Sequence, residues 1–205
     1  MYTICMYREI EAKFLRVDHD EIRAKLKELG AELKVPMRMV RRTVMDYPDR
    51  RLKKESAWVR LREELDGGIE VMLKKIPSNE LGETFEQAVR VLDYDAAKKF
   101  LLSIGLEIKA EEESKRELWH LGDTEIMLDE WPWVDPYIEI EAPTEEAVKG
   151  LAEKLGFDWA DARFGSVIRA YEDKFGVSED DFIAAEMTIK FDDPVPELLT
   201  QASQK

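Results

Sequence analysis

The sequence contains one cysteine, two histidines and no long apolar run. The lone Cys5 excludes a disulfide framework and a cysteine-ligated zinc site, and it is typical of a reducing compartment, so we expect a cytoplasmic protein. His19 and His120 lie far apart in the sequence, which leaves few residues for a histidine-based metal site or a catalytic triad. Any metal ion is therefore expected to be held by carboxylates.

Positive charge is also scarce. The 31 Lys and Arg residues are outnumbered by 45 Asp and Glu residues, and the net charge of −14 argues against binding of nucleic acid by bulk attraction to phosphates. No apolar stretch reaches the roughly 18 residues of a membrane span, and the N-terminus lacks the layout of a secretion signal, so we expect no membrane contact.

Composition and chain length favour a single folded domain. The 205 residues are 44% hydrophobic, which is enough for a core and too much for a disordered chain. We predict that the domain covers residues 1–176. Residues 177–205 are polar and punctuated by proline, so we predict a C-terminal tail that is partly helical.

Three segments share one plan, in which an alternating strand leads into a capped amphipathic helix that ends at a glycine. The helices are predicted to begin at Asp18 or Asp20, at Asp93 or Asp95, and at Thr144. Between these segments, runs with a period of two residues predict further strands. The sequence therefore predicts an α+β protein with about eight mostly antiparallel strands and about three helices.

The predicted strands have one apolar face and one face that carries charges of both signs. In residues 9–14 the sequence EIEAKF puts Glu9, Glu11 and Lys13 on one face, and residues 58–62 and 137–141 alternate in the same way. If helices cover the apolar faces, a sheet curved into a barrel with a polar lumen would bring the charged faces together. The alternative interpretation is that each charged face meets water.

Such a lumen would have the inventory for phosphate chemistry. Paired carboxylates suit Mg²⁺ or Mn²⁺, which prefer hard oxygen ligands. Arginine and lysine opposite them suit phosphate oxygens, as a bidentate fork and as a point charge respectively. Metal ions together with a cationic cradle are what phosphoryl transfer requires, because its catalysis consists largely of positioning and charge stabilisation.

A series of short motifs resembles the CYTH superfamily, the triphosphate tunnel metalloenzymes, which include class IV adenylate cyclases, thiamine triphosphatases and inorganic triphosphatases. In chain order the motifs are EIEAK at residues 9–13, DYPD at 46–49, WVRLR at 58–62, Lys74, KRE at 115–117, LDE at 128–130 and YIEIE at 137–141.

The resemblance implies an eight-stranded antiparallel β-barrel, the triphosphate tunnel, with helices packed outside. It implies that Mg²⁺ or Mn²⁺ is held by Glu9, Glu11, Asp129, Glu139 and Glu141. It implies that the triphosphate contacts Lys13, Arg60, Arg62, Lys74, Lys115 and Arg116. Of these residues, Glu9, Glu11 and Lys13 are the expected catalytic ones.

One position departs from the family pattern. The strand before the LDE motif often carries Lys-x-Arg, whereas here Ser114 stands where the first lysine would fall. Either Lys115 substitutes for that lysine after a local bulge, or the cradle has one cation fewer. Arg41, Arg42 and Arg90 are further cations, and the sequence leaves open which face of a strand they occupy.

The leading hypothesis is a metal-dependent hydrolase of a triphosphate such as tripolyphosphate, ATP or thiamine triphosphate. One metal ion would bridge phosphate oxygens, and a second would activate the attacking water. A class IV adenylate cyclase that converts ATP to cyclic AMP and pyrophosphate is the alternative on the same scaffold. A non-catalytic polyphosphate-binding module is a third interpretation. Both a monomer and a homodimer are compatible with the sequence.

Overall fold

The computed structural model describes residues 7–77 and 84–202, and the side chains of residues 10–77 and 85–202. Ten strands and six α-helices follow one another along this part of the chain. In chain order they are β1 (Tyr7–Glu9), β2 (Glu11–Leu15), α1 (His19–Glu28), β3 (Glu32–Asp46), β4 (Ala57–Glu63), β5 (Ile69–Lys75), β6 (Thr84–Val91), α2 (Tyr94–Ser103), β7 (Glu107–Leu121), β8 (Thr124–Glu130), β9 (Tyr137–Glu141), α3 (Glu145–Leu155), α4 (Ile168–Phe175), α5 (Glu179–Ala184), β10 (Thr188–Ile189) and α6 (Glu197–Ala202).

The strands form one sheet in the order β1-β6-β5-β4-β3-β7-β8-β9-β2. All neighbours in this order are antiparallel, and the short β10 pairs with β7 in parallel. The predicted α+β class is confirmed. The predicted closed barrel of eight strands is not confirmed, because nine strands follow one another in an open order. The first predicted strand is divided at Ile10 into β1 and β2, which lie at opposite ends of that order.

The predicted helix starts are confirmed by their caps. Asp18 accepts a hydrogen bond from the backbone N–H of Asp20 at 2.8 Å, and Asp93 accepts one from Ala96 at 2.7 Å. The hydroxyl oxygen of Thr144 accepts the backbone N–H of Ala147 at the start of α3. Each cap satisfies a donor that has no partner within its helix.

Helices α1 and α3 cover one face of β2, β8 and β9. This outer core contains Phe14, Leu26, Ile138 and Ile140, each at most 1% exposed, together with side chains from α3. Helix α2 covers the same face of the sheet further along, where Leu61 and Leu101 are buried. The helices thus bury the apolar face of the strands, and we call the opposite face of the sheet the inner face.

The residues after 176, predicted as a polar tail with helical parts, contain α5, β10 and α6. Phe182, Ile189 and Leu199 from this segment are buried together with Tyr171 of α4 and Trp131. Within the described ranges, every helix is too short or too polar to span a lipid bilayer.

The packing of α2 predicts a sharp difference between two neighbouring leucines. Leu101 is 7% exposed within the outer core, whereas Leu102 is 41% exposed on the same helix. We expect Leu101→Ala to lower the free energy of unfolding by about 2–5 kcal/mol, because it removes buried methyl groups and leaves a cavity. Leu102→Ala is the control and should change stability by about 0.5 kcal/mol at most. Urea denaturation measures both, and equal losses would contradict this packing.

Candidate functional site

A cavity of about 940 Å³ opens along the inner face of the sheet. Its walls include most of the residues predicted as ligands of the metal ion or the triphosphate, namely Glu11, Lys13, Arg60, Arg62, Lys74, Arg116, Glu139 and Glu141. Strand alternation explains why they meet there: since alternate residues of a strand face opposite sides, burying the apolar set under the helices directs the charged set inward.

The register of β2 on β9 brings two carboxylates to one ammonium group. Lys13 lies opposite Glu139, and Glu11 lies opposite Glu141. The Nζ atom of Lys13 is 2.9 Å from Oε1 of Glu11 and 3.1 Å from Oε1 of Glu139. Burial alone would lower the pKa of Lys13, but the two carboxylates raise it above its usual value. Lys13 is therefore a fixed cation.

Arg116 makes the most complete ion pairs of the cavity. Its Nε and Nη2 atoms each donate to a different oxygen of Asp129 at 2.7 Å, and Nη2 also donates to Glu139 at 2.6 Å. Burial would raise the pKa of Glu139, but Arg116 and Lys13 hold it well below its usual range. Asp129 is fully buried behind Arg116, and both oxygens of its carboxylate accept hydrogen bonds from that arginine.

Glu86 joins two further cavity cations. It lies 2.6 Å from Nζ of Lys74 on β5 and 3.3 Å from Nη2 of Arg60 on β4. Arg62 forms a bidentate pair with Glu64 at 2.6 and 2.9 Å. Glu86 is not among the residues predicted for the site from the sequence, although its pairing with Lys74 in the strand register places it on the inner face.

Glu125 is a second unassigned carboxylate. It lines the cavity, and the strand register sets it beside Glu141, which in turn lies beside Glu11. Glu125 shares its face of β8 with Met127 and Asp129, so the alternation of that strand contains the signal that identifies it. Three glutamates thus stand in a row across β8, β9 and β2.

Three predicted residues, Asp129, Lys115 and Glu9, are not part of the described cavity wall, and Asp129 is buried behind Arg116. Lys115 does not line the cavity; it contacts Glu130 at 3.2 Å and lies over the ring of Phe191. The side chain of Glu9 lies outside the described residues, although its backbone belongs to β1. Ser114 occupies the inward position, and Arg42 on β3 donates to its hydroxyl at 2.5 Å.

Arg42 was left open by the sequence because its strand mixes residue types on each face. Val40 and Val44 line the cavity with Arg42, whereas Thr43 is buried on the other side and bonds to the hydroxyl of Tyr94 at 2.8 Å. Apolar and polar residues therefore occur on both faces of β3, and alternation cannot assign the register.

The carboxylates suit a hard divalent ion by their chemistry. Among the described side chains, no three Asp, Glu, His or Cys groups converge on one point as a metal site. Glu11 and Glu139 do converge on a single cation, which is the ammonium group of Lys13. Because Mg²⁺ is commonly held by one or two carboxylates together with substrate phosphates, this donor set fits such an ion when it is shared with a bound phosphate.

Solved structures with this fold come from several organisms. A protein from Pyrococcus horikoshii OT3 is 21% identical, with a TM-score of 0.66 over 79% of this chain and 98% of its own. A candidate adenylate cyclase from Vibrio parahaemolyticus is 21% identical, with a TM-score of 0.70 over 80% of this chain and 97% of its own. A candidate adenylyl cyclase from Hippeastrum, described as having a dominant triphosphatase activity, is 13% identical, with a TM-score of 0.58 over 91% of this chain and all of its own. At these identities the likeness establishes the fold.

A search of curated protein sequences finds no match to the chain. The CYTH domain profile, in contrast, matches residues 7–163, which is well over half of the chain. The match runs through every element from β1 to α3, including the strands that carry the paired carboxylates and the cavity cations. The chain therefore belongs to the CYTH domain family.

Proposed function

We propose that this protein hydrolyses a triphosphate, bound within the cavity, in the presence of Mg²⁺ or Mn²⁺. The observation that carries the proposal is the order of charges along the inner face. A group of cations from β3, β4, β5 and β7 adjoins a row of glutamates on β2, β9 and β8. A chain of phosphates and its metal counter-ions carry the complementary charges.

We propose further that the sheet acts as a tunnel. β1 and β2 stand at the two ends of the strand order, yet a single residue, Ile10, separates them in the chain. β1 pairs with β6 while β2 pairs with β9, so one continuous segment reaches both edges. A wall that surrounds the substrate would exclude water and strengthen each electrostatic contact.

The cations would hold the phosphates. Arg60 and Arg116 carry planar guanidinium groups that match phosphate oxygens, and Lys74 supplies a point charge from β5, next to the strand of Arg60. Such groups stabilise the negative charge that develops on phosphate oxygens during transfer. The carboxylate partners of these cations in the structure keep the cavity balanced in charge before the anion arrives.

Glu11, Glu139 and Glu141 would hold the divalent ion, which when bound supplies Lewis acidity and a water of lowered pKa. Lys13 contributes as a cation and not as a base, because its two carboxylate neighbours raise its pKa and keep it protonated. Its role is to orient Glu11 and Glu139 and to stabilise negative charge nearby.

One protein with this fold supports the choice of hydrolysis. The Hippeastrum protein is described as a candidate cyclase with a dominant triphosphatase activity, and its fold covers 91% of this chain. Cyclisation requires that the nucleotide ribose be positioned beside the α-phosphate, and we therefore treat it as the competing outcome of the first experiment.

The first experiment identifies the products. Purified protein is incubated with Mg²⁺ or Mn²⁺ and separately with tripolyphosphate, ATP and thiamine triphosphate, and the products are followed by phosphorus NMR. We expect release of orthophosphate, fastest from one of the three. Cyclic AMP with pyrophosphate from ATP would contradict hydrolysis and support a cyclase, whereas no turnover of any substrate would support a binding module.

The carboxylate row predicts a large loss of activity from a small change. Glu11→Gln keeps the size of the side chain but removes one ligand charge, and we expect kcat/KM to fall by at least about 100-fold. The control is Glu21→Gln, since Glu21 pairs with Lys25 on the exposed side of α1. Circular dichroism verifies that both variants fold. Activity of Glu11→Gln close to that of the control would refute a ligand role for Glu11.

Lys13→Met should make stability depend on pH. The substitution leaves buried Glu11 and Glu139 without their shared cation, and removing one partner of a buried pair costs about 3–5 kcal/mol. Lys13 helps to lower the folded-state pKa of Glu139, so without Lys13 this pKa rises, and the stability that protonation of Glu139 gives the folded variant at low pH is lost as pH increases. The deficit against wild type should therefore be larger at pH 8 than at pH 5.

Urea denaturation at the two pH values measures this difference. The control is Lys34→Met, because Lys34 pairs with the exposed Glu32 and should show no such dependence. A deficit of equal size at both pH values would argue that Lys13 contributes by packing and not by charge.

A further inference from the structure

Arg42 is a buried cation of the cavity that has no carboxylate partner among the described residues. No carboxylate oxygen of that part of the chain lies within 4.0 Å of its guanidinium nitrogens. Its neighbours Arg60 and Arg116, in contrast, pair with Glu86 and Asp129. Arg42 is 7% exposed and lines the cavity, and its Nε atom has no hydrogen-bond partner in the described structure.

Arg42 lies opposite Glu112 on β7, and the other charged groups that act most strongly on it are three arginines. Burial lowers its pKa to about 10, and although Glu112 opposes this, Arg60, Arg62 and Arg116 lower the pKa further. A buried charge is costly unless an opposite charge compensates it. At neutral pH Arg42 is still protonated, so an anion that entered the cavity beside it would supply the missing compensation.

Two contacts hold the guanidinium group in place. Nη2 donates to Oγ of Ser114 at 2.5 Å, and the group lies over the ring of Trp131 at 4.3 Å from its centre. Trp131 is itself buried and lines the same cavity. The planar fork of an arginine recognises phosphate best when its plane is fixed in this way, because less side-chain freedom is lost on binding.

We propose that Arg42, held by Ser114 and Trp131, binds phosphate in this cavity and supplies from β3 the positive charge that β7 lacks at Ser114. This inference rests on the proposed function. The sequence left open whether Lys115 replaces the missing lysine or the cradle has one cation fewer. With Arg42 as the replacement neither alternative is needed, because Lys115 does not line the cavity and the number of cations is kept. The register supports the exchange, because Ser114 lies opposite Val40 and thus two positions from Arg42 along the same face.

The test is direct binding of tripolyphosphate, measured by isothermal titration calorimetry in buffer with a metal chelator. We expect Arg42→Gln to weaken binding by about tenfold or more, the usual worth of a charge-assisted hydrogen bond. The matched control is Arg41→Gln. Arg41 precedes Arg42 on β3 but faces outward, where it pairs with Glu63 and lies over the ring of Tyr94. This control should bind as wild type does.

A rescue variant separates charge from packing. Arg42→Gln combined with Ser114→Lys returns a cation to the same part of the cavity from β7, and we expect it to recover most of the lost affinity. Failure of the folded double variant to recover would overturn the proposal, because Arg42 would then act by supporting Trp131. If Arg42→Gln alone does not fold in a thermal melt, the double variant decides the question by itself.

The remaining outcomes are distinguishable from failure of the proposed function. Wild type that binds tripolyphosphate, with Arg42→Gln bound within twofold of it, would overturn the assignment of Arg42 and leave the proposed function intact. If wild type binds only when Mg²⁺ replaces the chelator, the variants are compared in Mg²⁺. Wild type that binds tripolyphosphate under neither condition would overturn both.

Discussion

Glu139 lies between two buried cations, and the inner face of the sheet depends on this arrangement. Lys13 comes from β2, Arg116 from β7 and Asp129 from β8, so the ion pairs join four strands that are consecutive in the sheet order. A buried charge that loses its partner is strongly destabilising, whereas a complete set of buried ion pairs contributes little net free energy to folding. The strands can therefore adopt one register only, because a shift of one residue would bury these charges against the helices.

The helices make this ionic inner face possible. Because α1, α2 and α3 cover the apolar side of the strands, two hydrophobic clusters of the sheet lie on its outer face. The apolar cluster that reaches the inner face, at Tyr137, is completed by α4 and the residues after 176. The inner cations then pair with carboxylates of the same wall, as Lys74 does with Glu86. A triphosphate that binds these cations must compete with their present partners. A divalent ion would compensate the carboxylates that the phosphates displace, so we expect anion and metal to bind together.

Sequence patterns predicted the parts of the site that lie on regularly alternating strands. Charged and apolar residues alternate over residues 11–14 of β2 and 138–141 of β9, so Lys13 and Glu139 could be assigned to the inner face. β3 could not be assigned, because valines accompany Arg42 on its inner face and the register shifts between residues 44 and 45. The division of the first strand at Ile10 was also not predictable, since it depends on pairing with strands far along the chain. The burial of Phe182 was not predictable either, because its ring packs against Tyr171 of α4 and the sequence does not show that contact.

An anion that approaches the cavity meets the net negative charge of the protein before it meets the cavity cations. The chain carries a net charge of −14, and the cavity wall holds carboxylates as well as cations, but Arg42 lies near Arg60 and Arg62 in one part of it. At physiological ionic strength charges separated by more than about 8 Å are largely screened, so the acidic exterior repels an anion only weakly until it reaches the mouth. Inside, screening is poor, so a group placed beside these arginines interacts strongly with their charge. For the proposed triphosphate, selection would therefore take place by fit and charge within the cavity, and not by attraction over long distances. An acidic exterior is thus compatible with a polyanionic substrate, provided that the fold keeps the buried cations in the register that the ion pairs around Glu139 define.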